Sequence, residues 1–288
     1  MCSKGGEKMI NGTERVCVQG ITGRYGSFHT KKMLKYGTNI VCGVSKNKVV
    51  KELDGIPVLN DMYDAVEKYN CDTSIVFVPA KHAKNAIFEA INAGIKKIIT
   101  ITEHIPIHDM MEIYKLSKQN NVTFIGPNCP GVILPGISKI GIMPENAFKP
   151  GDIAIISKSG TLMYEISNLL SKKSTGIKIG IGLGGDPIIG TSIEEALEFS
   201  ITLNPRKIII ISEIGSNDEV IGIEKFLNKG YNANIQVFFA GRTAPRGKKM
   251  GHAGAIVDGI KSSIEYKEKR LKAIKIPVAK YIPELLEG

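Results

Sequence analysis

The fold is decided by the stretch Arg15-Val-Cys-Val-Gln-Gly-Ile-Thr-Gly-Arg-Tyr-Gly-Ser-Phe-His-Thr30. A short apolar run passes through Gly20, Gly23 and Gly26 and continues into a helix that is predicted to reach Tyr36. A strand, a glycine turn and a helix in this order form a phosphate cradle, because backbone N–H groups and the helix N-terminus point at an anion. The spacing G-x-x-G-x-x-G differs from the G-x-G-x-x-G of dinucleotide sites, so the pattern by itself leaves the ligand open.

The residues after the second strand indicate which anion this turn binds. The strand covers residues 39–44 and runs into Ser45-Lys46-Asn47-Lys48. An NAD site carries an acidic residue here to hold the ribose hydroxyls, whereas cations suit an adenosine with an extra phosphate, as in NADP or coenzyme A. The alternative is that these lysines belong to a solvated loop.

Apolar strands and amphipathic helices alternate through the chain, which is typical of α/β proteins with parallel sheets. Further strands are predicted at 73–79, 97–102, 122–125, 152–157, 177–183, 207–211 and 235–240. The turn residues Gly126-Pro-Asn-Cys-Pro-Gly131 close the first half, and a Gly/Pro-rich segment follows them. We therefore predict two doubly wound parallel-sheet domains, 10–131 and 151–288, joined by a connecting segment at 132–150.

The second domain begins like the first, with a strand, a turn of small residues and a helix. The turn is Lys158-Ser-Gly-Thr161, which supplies a second helix N-terminus suited to an anion. In doubly wound sheets ligands bind at the carboxyl ends of the strands, so groups just past those ends can converge on one crevice. In this domain these groups are Ser159 to Thr161, Gly184 to Asp186, Glu213 and His252; in the first domain they are Thr102 and Glu103.

A loop rich in glycine and cations follows the strand at 235–240: Gly241-Arg-Thr-Ala-Pro-Arg-Gly-Lys-Lys-Met-Gly-His-Ala-Gly-Ala-Ile256. Glycines near His252 leave room for a bulky group at its ring, and the cations indicate that this group is anionic. A neutral imidazole is a nucleophile, so we interpret His252 as a residue that accepts and donates a phosphoryl group. Glu213 is then the carboxylate that orients its ring. The alternatives are an exposed histidine on a surface loop and a glutamate that serves only a helix cap.

Composition argues against several classes of protein. The chain has 288 residues, 43% of them hydrophobic, and no apolar run near the ~20 residues of a membrane span. The net charge of +10 does not indicate nucleic acid, because the lysines are dispersed over many helices, including 267–275, and only 6% of residues are aromatic. We interpret most of these lysines as solvated surface. The N-terminus resembles neither a signal nor a transit peptide, which predicts a cytoplasmic chain or, as the alternative, a mitochondrial matrix chain that has lost a presequence.

The five cysteines, at 2, 17, 42, 71 and 129, show no paired spacing, so no zinc site is predicted. Cys17, Cys42 and Cys71 lie in or beside strand-like runs and are interpreted as small buried hydrophobes in a reducing compartment. His104 and His108 are interpreted as cap or surface residues.

Seven motifs taken together closely resemble the family of succinyl-CoA synthetase (succinate–CoA ligase) alpha subunits. The resemblance runs from about Arg15 to Ile256. The motifs lie at 19–29, 99–103, 125–132, 156–165, 184–187, 213–215 and 243–255. The family implies a Rossmann-like CoA-binding domain at 10–131 and a flavodoxin-like ligase domain at 151–288. It also implies an NDP-forming acid–CoA ligase, in which a phosphohistidine couples succinyl-CoA, phosphate and NDP to succinate, CoA and NTP.

The resemblance assigns a role to individual residues. His252 matches the histidine that is phosphorylated, and Tyr164 matches a position in the substrate site. The phosphate-binding helix N-terminus matches Ser159, Gly160 and Thr161. The positions that match coenzyme A contacts are Thr22, Gly23, Arg24, Tyr25, Lys48, Ile101, Thr102 and Glu103.

The family also implies a partner chain. A beta subunit with an ATP-grasp domain would bind ADP/ATP or GDP/GTP with Mg²⁺ and form an alpha–beta dimer or a dimer of dimers. Two segments depart from the family pattern: Lys46-Asn-Lys-Val-Val50 replaces a Pro-Gly-Lys-Gly-Gly segment, and Ser212-Glu-Ile-Gly-Ser216 replaces a more glycine-rich one. The alternative functions are the same mechanism on acetate, malate or citrate, and a non-catalytic protein that binds CoA or NADP.

Overall fold

The computed structural model describes residues 10–46, 49–243 and 263–287. These residues form two compact units. One holds the described residues up to Met143 together with Ile188–Gly190, and the other holds Pro144–Pro187 and the described residues from Thr191 onwards. Two mostly parallel sheets of seven strands each, with helices between the strands, confirm the predicted α/β class.

The N-terminal unit contains the first sheet, in the order β3-β4-β2-β1-β5-β6-β7. Its strands β4-β2-β1-β5-β6-β7 follow the 3-2-1-4-5-6 order of a Rossmann fold, with its switch point between β1 and β5. The elements are β1 Val16–Gln19, α1 Arg24–Tyr36, β2 Ile40–Val44, β3 Glu52–Leu53, β4 Ile56–Leu59, α2 Met62–Tyr69, β5 Thr73–Val76, α3 Ala80–Asn92, β6 Lys97–Thr100, α4 Ile107–Gln119, β7 Thr123–Ile125, β8 Gly131–Leu134 and β9 Ser138–Gly141.

Local sequence signals set the helix ends of this unit. Asp61 caps α2 by accepting a hydrogen bond from the backbone N–H of Asp64 at 2.9 Å. Asn70 ends the same helix in the left-handed region, with a φ of 47°. Gly37 ends α1 with a φ of 98°, a conformation that glycine adopts without strain. After these helix ends the chain returns to the sheet, at β2 after α1 and at β5 after α2.

The segment 132–150, predicted as a connection, contains regular structure. Strands β8 and β9 pair as an antiparallel hairpin around the turn at Gly136, which has a φ of 78°. A Cβ at Gly131 would lie 2.1 Å from the carbonyl oxygen of Ile140, so the strands approach closely only because this residue is glycine. Thr38 donates its hydroxyl to the carbonyl of Lys139 at 2.7 Å, which ties the hairpin to the end of α1.

The C-terminal unit carries the parallel strands β14-β13-β12-β10-β11 of the second sheet. Counted from β10, the parallel strands follow the flavodoxin-like order 2-1-3-4-5, with the switch point between β10 and β12. The elements are a 3-10 turn Glu145–Ala147, β10 Pro150–Ser157, α5 Gly160–Lys172, β11 Ile177–Gly182, α6 Ile193–Thr202, β12 Lys207–Glu213, α7 Asp218–Asn228, β13 Ile235–Ala240, α8 Ile264–Ala273, β14 Val278–Ala279 and α9 Ile282–Leu285.

Strand burial explains why these runs form the centre of each sheet. Strands β1 and β5 are buried at every position, as are residues 153–157 of β10 and 207–212 of β12. Parallel strands covered by helices on both faces read as continuous apolar runs, which is the pattern of this chain. Across the described ranges, no helix has the length and apolar character needed to cross a membrane.

Candidate active site

The glycine turn after β1 places backbone atoms that no side chain covers at the switch point of the first sheet. Gly20 has a φ of 82°, and a Cβ there would lie 3.2 Å from the carbonyl carbon of Phe77. A Cβ at Gly26 would lie 2.1 Å from the carbonyl oxygen of Gly20. The N–H of Gly23 donates to that same oxygen at 3.0 Å, which closes the turn. Gly20 and Gly26 are therefore needed for close packing of strand, turn and helix.

The N-terminus of α1 lies directly after this turn. Gly23 is the N-cap and supplies no side-chain acceptor, and the first turn contains no acidic residue. Its first N–H groups are therefore available to an anion, which the helix dipole also favours. Thr22 and Ser45 share a hydroxyl–hydroxyl hydrogen bond of 2.6 Å that links the ends of β1 and β2. Arg24 and Tyr25 are exposed, with 71% of Tyr25 accessible.

A second segment reaches the same edge of the sheet from the end of β6. Ile101 and Thr102 are partly buried and Glu103 is exposed. The hydroxyl of Thr102 donates to the carbonyl of Val78 at 2.6 Å, and its own carbonyl accepts from the N–H of Asn128 at 2.9 Å. The predicted coenzyme A contacts of the turn and of this segment thus share one sheet edge, after β1 and β6.

The lysine loop after β2 is only partly described. Lys48 lies outside the described residues, so its predicted contact with coenzyme A stays a prediction. Lys46 is exposed, but its Nζ lies 3.3 Å from both carboxylate oxygens of Glu89 and 3.1 Å from the carbonyl of Asn60. An exposed ion pair of this kind contributes at most about 1 kcal/mol, so Lys46 can exchange Glu89 for a phosphate.

In the C-terminal unit, the turn after β10 presents a second helix N-terminus. Ser159 is the N-cap of α5, and its Oγ accepts from the N–H of Leu162 at 3.4 Å. The N–H of Ser159 donates to the Oγ of Ser157 at 3.0 Å, which fixes the turn. Gly160 and Thr161 begin the helix, and its first turn contains no acidic residue. This arrangement is suited to a phosphoryl group.

The pairing of β10 with β12 brings the turn beside Glu213. Ser157, the last residue of β10, is the register partner of Ile211. Glu213 lies two residues further along β12, and Ser159 lies two residues past the end of β10. Both residues therefore lie at the carboxyl edge, next to the two strands that flank the switch point. Glu213 is the last residue of β12 and is partly buried.

Lys267, one of the lysines interpreted as solvated surface, is buried and contacts the backbone of Glu213. Lys267, on α8, has no exposed surface, and its Nζ donates to the backbone carbonyl of Glu213 at 2.8 Å. The same Nζ pairs at 2.5 Å with Glu219, which is also fully buried. Burial lowers the pKa of Lys267 although Glu219 acts in the opposite direction. Its position was readable from sequence, since it shares an i, i+3, i+7 stripe with the buried Ile264 and Leu271.

Lys158, the residue before the N-cap of α5, belongs to the same group of charged side chains as Lys267 and Glu219. The Nζ of Lys158 donates to Ser216 Oγ at 2.7 Å and to Asp218 Oδ2 at 3.2 Å, and it lies 3.9 Å from Glu219. Burial opposes ionisation of Asp218, but Lys158 and Ser216 outweigh it and hold the pKa of this carboxyl below its ordinary value. We call Lys158, Asp218, Glu219 and Lys267 the ion cluster. It connects the segments that carry Ser159 and Glu213.

The remaining predicted site residues are placed as follows. Tyr164 lies on α5, partly buried, in an edge-to-face contact with Phe148 at 6.1 Å between ring centroids. His252 lies outside the described residues. Of the cations in its loop only Arg242 is described; it pairs with Glu268 at 2.6 Å and donates to the carbonyl of Ala279. Arg242 is thus engaged by the protein itself.

Two family models match the chain. The one described as a CoA binding domain matches residues 11–104, and the one described as CoA-ligase matches residues 156–276. The first match covers the glycine turn and the segment after β6. The second covers Ser159, Glu213 and His252.

Curated relatives are similar over nearly the whole chain. The ADP-forming succinate–CoA ligase subunit alpha 2 of Archaeoglobus fulgidus is 44% identical over 97% of this chain and 97% of its own length. The corresponding alpha subunit of Aquifex aeolicus is 43% identical over 92% of this chain and 87% of its own. A subunit of an ADP-forming sulfoacetate-CoA ligase from an Acholeplasma species is 39% identical over 94% and 93%.

Solved structures share the fold. ATP citrate lyase of Methanosaeta concilii superposes with a TM-score of 0.85 at 20% identity over 96% of this chain, which spans 49% of that protein. A dinucleotide-forming acetyl-coenzyme A synthetase of Ca. Korarchaeum cryptofilum gives 0.78 at 21% identity over 95% of this chain and 59% of its own. At these identities the likeness concerns the fold alone.

Proposed function

Because the chain belongs to the family of succinate–CoA ligase alpha subunits, we propose that it is the CoA-binding catalytic subunit of an NDP-forming succinate–CoA ligase. The reaction interconverts succinyl-CoA, phosphate and NDP with succinate, CoA and NTP. The CoA-binding domain would cover 10–131 and the ligase domain 151–288. The proposal rests mainly on one observation at the switch point of the second sheet. There the N-terminus of α5, which is suited to bind an anion, lies beside Glu213.

The N-terminal unit is assigned to coenzyme A. Its pyrophosphate suits the first N–H groups of α1, which follow Gly23, and Arg24 and Tyr25 extend the surface on which it lies. Lys48 is assigned to the extra phosphate of the adenosine. The remaining contacts with coenzyme A are assigned to Ile101, Thr102 and Glu103.

The C-terminal unit is assigned to phosphoryl transfer. Phosphate displaces CoA from the thioester and forms succinyl phosphate. A ring nitrogen of His252 then attacks phosphorus while succinate leaves with the bonding electrons, and the phosphohistidine passes the group to NDP. Glu213 orients the imidazole, and the N–H groups at Ser159, Gly160 and Thr161 stabilise the charge on the transferring oxygens. The two-step route divides one difficult exchange into two.

The nucleotide and its Mg²⁺ are assigned to a partner chain. We infer a beta subunit with an ATP-grasp domain, in an alpha–beta dimer or a dimer of dimers, because the alpha naming of the relatives refers to one subunit of a larger enzyme. The choice between ADP and GDP then belongs to that partner. We further propose that the complex acts in the cytoplasm, with the mitochondrial matrix as the alternative.

A second candidate function is the same chemistry on another acid. The relative named as a sulfoacetate-CoA ligase subunit is 39% identical, close to the values of the succinate relatives. The motifs of the site handle CoA and phosphate, so they persist when the acid changes. Tyr164 is the described side chain that we assign to the acid.

The test is a turnover assay of the chain co-purified with its beta partner. Formation of acyl-CoA from CoA, ATP or GTP and Mg²⁺ would be followed with succinate, sulfoacetate, acetate, malate and citrate. The proposal predicts that succinate has the highest kcat/KM. A higher value for another acid would change the substrate, and no turnover with any acid would move the protein to a non-catalytic CoA-binding or NADP-binding role.

One variant distinguishes phosphoryl transfer, assigned to the C-terminal unit, from CoA binding, assigned to the N-terminal unit. His252→Ala is expected to abolish turnover while CoA affinity stays within about an order of magnitude, because the histidine contacts the phosphoryl group and not the coenzyme. A large loss of CoA affinity in this variant would contradict the assignment.

A further inference from the structure

Three cysteines from separate segments meet in the core of the N-terminal unit. Cys17 lies on β1, Cys42 on β2, and Cys71 between α2 and β5. Their three Sγ atoms all lie within 4.8 Å of one another, and those of Cys42 and Cys71 are 3.3 Å apart. Cys17 and Cys42 are register partners in adjacent parallel strands, so their side chains point to the same face of the sheet. We call these residues the thiol cluster.

A fourth sulfur completes the surroundings. The Sδ of Met62, at the start of α2, lies 3.6 Å from the Sγ of Cys17. Cys17, Cys42 and Met62 have no exposed surface, and Cys71 is 5% exposed. The site is therefore an all-sulfur group inside the apolar core formed by the sheet and its covering helices.

The ordinary role of a buried cysteine, that of a small hydrophobe, explains each residue singly. It does not explain why three thiols and a thioether from four segments converge, since alanine or valine would pack there as well. The spacing suits a ligand set. Three sulfurs placed in a plane around one ion at about 2.3 Å are about 4 Å apart, close to the separations already present.

We propose that the thiol cluster binds one Cu(I) ion, with Met62 as an additional weak ligand. Soft thiolate and thioether ligands select Cu(I), zinc and Fe–S clusters over hard metal ions. Zinc in structural sites takes four strong ligands from cysteine and histidine, whereas this cluster offers three thiols and a thioether. Each thiol that binds the ion loses its proton to solvent, so binding releases one proton per thiolate formed.

The cluster is separate from the coenzyme A site. Cys17 lies near the amino end of β1 and Cys71 precedes β5, whereas the glycine turn follows the carboxyl end of β1. Entry is through the turn at Asn70 that ends α2, because Cys71 is the most exposed member of the cluster. Cu(I) binding is thus expected to leave CoA affinity unchanged.

The experiment uses the full-length chain with Cys2→Ala and Cys129→Ala, so that only the thiol cluster retains cysteine. Cu(I) is titrated without oxygen in competition with a colorimetric Cu(I) chelator, and the bound ion is examined by X-ray absorption. One Cu(I) per chain with a sulfur-only first shell is expected. Adding Cys71→Ala is expected to weaken binding by at least ~100-fold, since even the outer-shell partners of metal ligands are worth 10–100-fold.

Two controls keep the result interpretable. Cys129→Ala alone removes another buried cysteine of the same unit and is expected to leave Cu(I) affinity unchanged. Met62→Leu conserves volume, so the fold persists while the thioether is lost and affinity falls. CoA binding by every variant verifies that the N-terminal unit is folded.

Three results would overturn the proposal. The first is no Cu(I) retained against the chelator by the folded chain. The second is a Cu(I) affinity that Cys71→Ala does not change. The third is tighter binding of Zn(II) than of Cu(I) to the same thiols, which would replace Cu(I) as the ion.

Discussion

Removing the Lys267 ammonium is expected to destabilise the C-terminal unit more than any surface substitution. Lys267 and Glu219 are both fully buried and pair at 2.5 Å, so Lys267→Met leaves a carboxylate in the core without its closest partner. Loss of one partner of a buried pair costs about 3–5 kcal/mol. Lys158, whose Nζ is 3.9 Å from Glu219, compensates part of the charge, which favours the lower end of this range.

The expected loss in the free energy of unfolding is therefore about 3 kcal/mol, with a further effect on turnover because the backbone of Glu213 loses its donor at 2.8 Å. Lys267→Met combined with Glu219→Gln removes both charges, so it should recover part of the stability. Lys269→Met, on the exposed face of the same helix, serves as the matched control and should change stability by less than about 0.5 kcal/mol.

The assay is hydrogen exchange of peptides from β12 and α7 as a function of urea, which reports unfolding of this unit separately from the other. If Lys267→Met lowered the free energy of unfolding by less than about 1 kcal/mol, Lys267 and Glu219 would not form a buried ion pair that stabilises the end of β12. The same conclusion would follow from a double variant that is no more stable than the single one.

Three further predictions concern the glycine turn, the N-cap of α5 and His29. Gly26→Ala places a Cβ 2.1 Å from the Gly20 carbonyl oxygen, so the N-terminal unit should lose about 1–3 kcal/mol and CoA affinity should fall in calorimetric titration; unchanged affinity would contradict the role of the turn. Ser159→Ala removes the N-cap of α5 and should cost about 1 kcal/mol in urea unfolding, with a lower kcat; an unchanged kcat would contradict the phosphate assignment. Burial, with Lys139 and Lys32, lowers the pKa of His29, so below about pH 6.5 the unfolded chain binds more protons than the folded one and stability falls as the pH falls. His29→Asn should remove this part of the pH dependence, and an unchanged slope would contradict it.

Sequence alone predicted the elements that depend on local signals. Glycine turns, caps and continuous apolar runs gave the strands and helices on both sides of the glycine turn, and the carboxyl-edge rule selected Ser159 and Glu213. The hairpin at 131–141 was missed because its glycines and proline are typical of a connection, whereas Gly131 and Gly141 are the residues that allow the two strands to approach closely.

What sequence missed depends on contacts between distant segments. Lys267 was grouped with solvated lysines, although it lies on the apolar stripe of α8 and meets a glutamate 48 positions earlier, Glu219. Burial of Cys17, Cys42 and Cys71 was predicted and is confirmed, but their convergence follows from strand order and register, which no local pattern encodes.

Labelling with a radioactive γ-phosphate tests whether His252 carries the phosphoryl group. The chain, co-purified with its beta partner, is incubated with γ-labelled ATP or GTP and Mg²⁺, and the label is located by peptide mapping. We expect an acid-labile, base-stable label on His252 that succinate and CoA together discharge. An intact complex that acquires no label, or that carries it on another residue, would contradict the proposed role of His252.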